Sequence, residues 1–289
     1  MRKMATNPPD TTGPVLDDSG LLPCAGHPGT LTRLRCSRCD RPICGRCAIP
    51  ATVGQHCPWC VAEARRSAPK IRSTMRATAP GVVAIVAVNA AFFLAQTVVP
   101  GLTTRLGAIP GAIAHGEWFR LVTPMLLHAG LWHIALNMLV LWIYGPSVER
   151  AFGTARFVAM YVISGFIGGV ASFAFGPCRS LGVGASGAIF GIVGVLLVHL
   201  YNRRRSDFVA ANLKNLLLFV GLNMVLGLVW PRVDVFAHVG GLAAGVALGA
   251  GFDGPEGRGI SGGRGVLVAT AVVIAGISAT AWRAAGFTC

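Results

Sequence analysis

The sequence predicts an all-α membrane protein, a small cysteine-rich domain followed by seven apolar helices, and three observations lead there. Hydrophobic residues make up 53% of the chain against 12% charged, and mean hydropathy is +0.62. So few charges cannot clothe the surfaces of two soluble domains. Apolar segments recur at about 80–100, 125–145, 155–175, 184–202, 208–229, 234–252 and 265–285, each close to the roughly 20 residues a helix needs to cross a bilayer. Seven of the nine cysteines crowd between Cys24 and Cys60.

Residues 1–22 hold no apolar core that could serve as a signal peptide, and they are expected to form a disordered tail. The next stretch, 23–62, reads CxxH, CxxC, CxxC and HCPWC, four pairs of metal-ligating residues that can supply two tetrahedral zinc sites. So short a segment has little apolar sequence of its own, so two structural Zn2+ ions would supply much of its folding free energy. The spacing resembles the B-box type of zinc finger. That resemblance implies one site from Cys24, His27, Cys44 and Cys47 and a second from Cys36, Cys39, Cys57 and Cys60. His56 competes with Cys57 for the last place, and the further CxxC made by Cys57 and Cys60 favours the cysteine. Nothing in the spacing of Cys178 and Cys289 favours a disulfide over two free thiols.

Residues 63–79 form a basic linker ahead of the core at 80–252, with 253–289 as an extra seventh helix. With the amino terminus in the cytosol, the inner loops carry Arg65, Arg66, Lys70, Arg72, Arg76, Arg150, Arg156, Arg203, Arg204, Arg205, Arg258 and Arg264. The outer loops carry only Arg105, Arg120, Arg179, Arg232 and Arg283. That bias predicts a cytoplasmic amino terminus and an outer carboxyl terminus, in a bacterial-type plasma membrane. Reduced, metal-binding cysteines suit the cytosolic side as well. A net charge of +14 then reflects topology and the membrane surface, and nucleic acid is not an expected partner.

On this topology His128, His133, Ser186 and His238 all fall in the outer part of the bilayer. Polar side chains in hydrocarbon are costly unless they have a task. Ser186 opens an apolar run in GASGAIFG, and His238 opens another in AHVGGLAAG. The GxxxG pairs Gly187/Gly191 and Gly241/Gly245 would let the two helices meet backbone to backbone, as a hydroxyl and an imidazole need in order to reach each other. Ser186 sits near a helix start, where unpaired N–H groups can stabilise an oxyanion. In HAGLWHIALN, His133 and Asn137 stand at i and i+4 on one helix face, two donors suited to the same oxyanion.

These three motifs, in this order, resemble the signatures of the rhomboid family of intramembrane serine proteases. The resemblance covers about 80–252 and implies a six-helix core with a Ser–His dyad. Ser186 would be the nucleophile and His238 the base, with an oxyanion hole from His133, Asn137 and the Ser186 N–H. It also implies that His128 stands at the mouth of the site and that GEWFRLVTP, with Glu117 and Arg120, forms an outer loop dipping into the membrane surface. Two positions depart from the pattern: Phe119 precedes the loop arginine where Trp is usual, and Phe190 stands where Tyr is common beneath the imidazole.

The function expected is hydrolysis of peptide bonds in transmembrane protein substrates near the outer face. The alternative is an inactive relative that binds membrane helices for trafficking or quality control; such proteins lose the serine or the histidine, and both are present here. The zinc finger is either a docking module for a cytosolic protein partner or a structural cap on the cytosolic face, which the sequence does not separate, and no cofactor is expected for catalysis.

Overall fold

A computed structural model describes residues 20–51, 53–67, 79–230, 233–254 and 262–288. Most of the predicted tail and linker, together with Arg232, Arg258 and Cys289, lies outside the described residues. The chain divides at Arg76/Ala77 into two compact units.

The first unit has two antiparallel hairpins, β1 (Leu22–Cys24) with β2 (His27–Thr32) and β3 (Ile49–Pro50) with β4 (Gln55–His56), followed by helix α1 (Pro58–Ser67). Helix α1 runs beyond the domain end expected at residue 62. The interior consists of Ile43 and six cysteines, with Ala48 and Trp59 packed against them. A core that small cannot offset the chain entropy of folding. Its cysteines must therefore do more than fill space.

The second unit is helical. Its long helices are α2 (Pro80–Val98), α5 (Leu131–Phe152), α6 (Thr154–Phe175), α7 (Ser186–Tyr201), α8 (Asp207–Val229), α9 (Val235–Phe252) and α10 (Gly262–Ala285). Between α2 and α5 lie two short helices, α3 (Leu102–Leu106) and α4 (Pro110–Ala114), and two 3-10 turns, Trp118–Leu121 and Thr123–Leu126. Among the described residues six helices are long and apolar enough to cross a membrane, and α7 is a shorter apolar helix. The second helix begins at Leu131 rather than near 125 because Pro124 and the extended Leu127 break the apolar run into a 3-10 turn and a loop. This is an integral, multi-pass membrane protein.

Helix α7 is the axis of the unit: every residue from Gly187 to Leu196 is buried. It has only 16 residues, about 24 Å at 1.5 Å per residue, short of the roughly 30 Å hydrocarbon layer. Helix α9 packs on α7 through glycine. A Cβ added at Gly241 would lie 1.9 Å from the Gly187 carbonyl oxygen, and one at Gly245 would lie 1.9 Å from that of Gly191. Helix α6 closes the same face, with Gly168 against the Ala237 carbonyl and Gly240 against Ala171. Helix α10 packs against α6 and α9, where Gly276 meets Phe166 and Ile167 and Gly251 meets Val268. Helix α8 is the least enclosed of the long helices, burying only Leu216, Val220 and Gly227.

Two buried carboxylates fix helix ends. Glu149, on α5, accepts the backbone N–H groups of Gly81 and Val82 at 2.8 and 2.9 Å and the Thr154 hydroxyl at 2.7 Å. It thereby satisfies orphan donors of the first turn of α2, where a negative charge is favoured. Asp253, just past α9, accepts both guanidinium nitrogens of Arg203, just past α7, at 2.6 and 3.1 Å.

Candidate active site

Ser186 is the first residue of α7, and the first carbonyl-to-amide bond of that helix runs from Ile189 N–H to Ala185. The N–H groups of the residues before Ile189 thus have no partner within the helix. The loop before Ser186 is pinned at two points. Ala108 and Gly182 exchange backbone hydrogen bonds, each 2.9 Å, and Gly184 N–H donates to Pro124 O at 2.9 Å. Gly184 has φ +133°, a conformation open to glycine. A Cβ there would lie 2.7 Å from His133 Cε1, 2.9 Å from His133 Nε2 and 3.8 Å from Ser186 Oγ. The His133 ring and the Ser186 hydroxyl therefore both lie close to the face of Gly184 on which a side chain would stand.

His133 carries its proton in a defined place. The Ala129 N–H donates to His133 Nδ1 at 3.3 Å, so the neutral ring is protonated at Nε2, the nitrogen facing Gly184. Asn137 lies one turn along on the same face, 8% exposed. Its Nδ2 donates to the His133 carbonyl at 2.9 Å, which leaves its second amide hydrogen for another acceptor.

His238 sits in the first turn of α9, buried, with its ring stacked on Phe190 of α7 at 4.3 Å and 15°. The stack continues from Phe190 to Phe219 of α8, which Tyr144 of α5 meets at a tilt of 54°. His238 Nδ1 has no hydrogen-bond partner among the described residues. Tight contacts of Gly187 with Gly241 and with Ala237 bring the starts of α7 and α9 together. A cavity of about 60 Å³ opens beside Ser186, bounded by Met125, Gly165, Gly168, Ser172 and Asp234.

His128 is buried, meeting His133 edge-on at 5.2 Å. Arg120 is held in the outer loop by Glu117 Oε2 at 2.7 Å and by the Thr104 and Gly107 carbonyls at 2.8 and 2.7 Å. Phe119 stands 5.3 Å from the Arg120 guanidinium carbon, so an aromatic partner survives the departure from Trp.

Sequence reasoning missed three residues. Gln96, at the end of α2, clamps the backbone of His128: its Oε1 accepts the His128 N–H at 2.9 Å and its Nε2 donates to the His128 carbonyl at 3.2 Å. Asp234 caps α9 by accepting the Ala237 N–H at 3.0 Å, and the Ser172 hydroxyl of α6 donates to its other oxygen. An Asp immediately before an apolar helix is a capping signal that could have been read. Gln96 and Ser172 carry no such signal.

In the first unit, Cys24, His27, Cys44 and Cys47 bring their ligand atoms within 4.8 Å of one another, and so do Cys36, Cys39, Cys57 and Cys60. His27 Nδ1 lies 3.4 and 3.2 Å from the sulfurs of Cys44 and Cys47, and the Cys39 and Cys57 sulfurs are 3.6 Å apart. Four sulfurs at about 2.3 Å around a tetrahedral ion would be separated by about 3.8 Å. His56 belongs to β4 and to neither group. Backbone N–H groups of Cys44 and Cys57 donate to the sulfurs of Cys24 and Cys36, the outer support typical of metal thiolates. Burial works against the Cys36 thiolate, yet the N–H groups of Arg38, Cys57 and Cys39 draw its pKa down to about 6. Cys47 is pushed up to about 12 by burial and by the neighbouring Cys24 sulfur. Clustered sulfurs that cannot all ionise alone are suited to sharing one cation. The seven cysteines of this unit are free thiols, whereas Cys178 is disulfide-bonded.

A model of the rhomboid domain matches residues 115–253. The chain is 44% identical to the rhomboid protease GluP of Bacillus subtilis over 134 residues, 46% of this chain and 26% of GluP. It is 35% identical to YdcA of the same organism over 137 residues, 47% of this chain and 68% of YdcA. With RHOMBOID-like protein 6, mitochondrial, of Arabidopsis thaliana, identity is 39% over 150 residues, 50% of this chain and 48% of that one. The cysteine clusters and α10 lie outside the region of the domain match.

Proposed function

Because this chain belongs to the rhomboid family, we propose that it is an intramembrane serine protease working through Ser186 and His238. The observation that carries the reading is the convergence at Gly184 of the Ser186 hydroxyl and the His133 Nε2–H, beside helix contacts that only glycine permits. His238 takes the Ser186 proton as the oxygen attacks a substrate carbonyl, then returns it to the leaving amine. The oxyanion is met by the Ser186 N–H, by His133 Nε2–H and by the free hydrogen of Asn137. One such donor is typically worth about 3 kcal/mol in the transition state. Water reaching the cavity then hydrolyses the acyl-enzyme. Phe190 holds the imidazole face and supplies no hydroxyl.

The substrates are transmembrane proteins cleaved near the outer face. A helix in lipid hides its carbonyls in hydrogen bonds, so segments that unwind cheaply, with Gly or Pro near the outer boundary, are cleaved best. The excess of basic residues on inner loops supports a cytoplasmic amino terminus and an outer carboxyl terminus. The disulfide at Cys178 suits an oxidising outer side, and the free thiols of residues 24–60 suit the cytosol.

The two cysteine groups hold one Zn2+ each, by Cys24, His27, Cys44 and Cys47 and by Cys36, Cys39, Cys57 and Cys60. Bound there, the ions stabilise a domain with almost no apolar core and take no part in hydrolysis. That domain offers a docking module for a cytosolic protein, and deletion of residues 1–68 tests it. Unchanged cleavage of every cellular substrate would remove the docking role.

The central test is reaction of the detergent-solubilised protein with a fluorophosphonate probe. Labelling of wild type and its loss in Ser186→Ala and His238→Ala are expected. Equal labelling of wild type and Ser186→Ala would end the protease reading.

A further inference from the structure

We propose that Asp234 is the positioning residue of His238, acting through the first turn of α9. The proposal rests on the serine-protease reading. His238 Nδ1 is buried without a partner among the described residues, so no carboxylate orients the ring from behind as the third member of a triad does. Orientation has to come from the Phe190 stack and from where α9 itself is held.

The carboxyl end of α9 is tied down by the Asp253–Arg203 pair, and its amino end needs a tie of its own. Gly240, Gly241 and Gly245 present bare backbone to α6 and α7, and backbone-to-backbone contact permits close approach without interlocking side chains. Asp234 supplies a fixed point at the right end. One carboxylate oxygen accepts the Ala237 N–H at 3.0 Å, and the other accepts the Ser172 hydroxyl of α6. Its main-chain carbonyl accepts the N–H of His238 itself at 3.2 Å. The first and third of these bonds belong to any capped helix. The second ties the cap to a neighbouring helix, and the third ends on the peptide of the proposed base. Asp234 and Ser172 also line the cavity that opens at Ser186, so a shift in the tie would be felt where the two reacting groups meet.

The test compares full-length wild type, Asp234→Asn, Asp234→Ala and Ser172→Ala in cleavage of a transmembrane substrate and in the rate of fluorophosphonate labelling, with thermal unfolding as the control for folding. Asn keeps an acceptor for Ala237 and can pair its amide with Ser172, whereas Ala keeps neither. The expected results are a fall of about tenfold in kcat for Asp234→Ala at unchanged KM, labelling slowed in parallel, Asp234→Asn within about threefold of wild type, and Ser172→Ala between them. Wild-type kcat in Asp234→Ala would overturn the proposal. So would a raised KM at constant kcat, which would make Asp234 a substrate contact. Should Asp234→Ala not fold, Ser172→Ala decides: lowered kcat at unchanged KM supports the positioning role, and unchanged kcat refutes it. A wild type that labels no better than Ser186→Ala defeats the protease reading instead, a result distinct from either.

Discussion

Replacement of Gly241 by alanine should abolish activity while a neighbouring Gly→Ala change does nothing of the kind. A Cβ at Gly241 would stand 1.9 Å from the Gly187 carbonyl oxygen, 2.7 Å from the Gly187 carbonyl carbon and 3.2 Å from its Cα. All three are backbone atoms of α7, so no side chain can rotate away. Restoring even a tight contact of about 3 Å requires α9 to withdraw from α7 by about 1 Å, and a displacement of that size between reacting groups can cost about a hundredfold in rate. Overpacking itself costs about 1–3 kcal/mol, set against a helix-propensity gain of nearly 1 kcal/mol for Gly→Ala. Gly221, on α8, has nothing within 4 Å of its added Cβ, so Gly221→Ala should keep full activity and gain a few tenths of a kcal/mol. Fluorophosphonate labelling and substrate cleavage, read beside thermal unfolding in detergent, separate the two. Wild-type labelling in Gly241→Ala would refute the claim that α7 and α9 must touch backbone to backbone to bring Ser186 and His238 together.

Phe190→Leu removes the ring under His238, and the loss of about 0.5–1.5 kcal/mol of stacking predicts labelling slowed about 3–10-fold, with Phe190→Tyr close to wild type. Glu149→Ala leaves the Gly81 and Val82 N–H groups and the Thr154 hydroxyl unpaired. It should lower unfolding stability by about 3 kcal/mol or more, and a midpoint equal to wild type would contradict the assigned cap. Elemental analysis of purified protein should find two zinc ions per chain. Cys44→Ser should lower that to one, and His56→Ala should leave both; loss of an ion with His56 would reassign the second site.

The parts of this fold legible in the sequence are those whose meaning is local. Apolar length marked the helices, the CxxC and CxxH pairs marked the metal-type clusters, and the glycines flanking Ser186 and His238 marked a close helix contact. The start of α5 was misplaced because an apolar count cannot distinguish a helix from the 3-10 turn and loop of 123–130, where Pro124 and the clamp on His128 set the backbone. Gln96 and Ser172, with the tie from Ser172 to Asp234 though not the Asp234 cap itself, went unread for a different reason. Each is an ordinary polar residue whose role is defined by a partner 32 or 62 residues away, and no periodicity records such a pairing.

The same distinction explains why α7 is short. A helix crossing the full hydrocarbon layer would pair its first N–H groups with lipid headgroups and water, leaving Ser186 at the surface. On the proposed mechanism the shortfall of about 6 Å from the layer's thickness falls at the Ser186 end, which would leave those donors within the layer, where an unpaired N–H is costly. The loop bonds from Gly182 and Gly184 and the cavity beside Ser186 make that placement tolerable, because irregular backbone at membrane depth survives only where protein or water meets it. In the proposed protease the donors left over are the ones an oxyanion would satisfy. The stability lost at the head of α7 is thus located where a developing negative charge can recover it, and the tight glycine seam with α9 keeps the proposed base beside the same point.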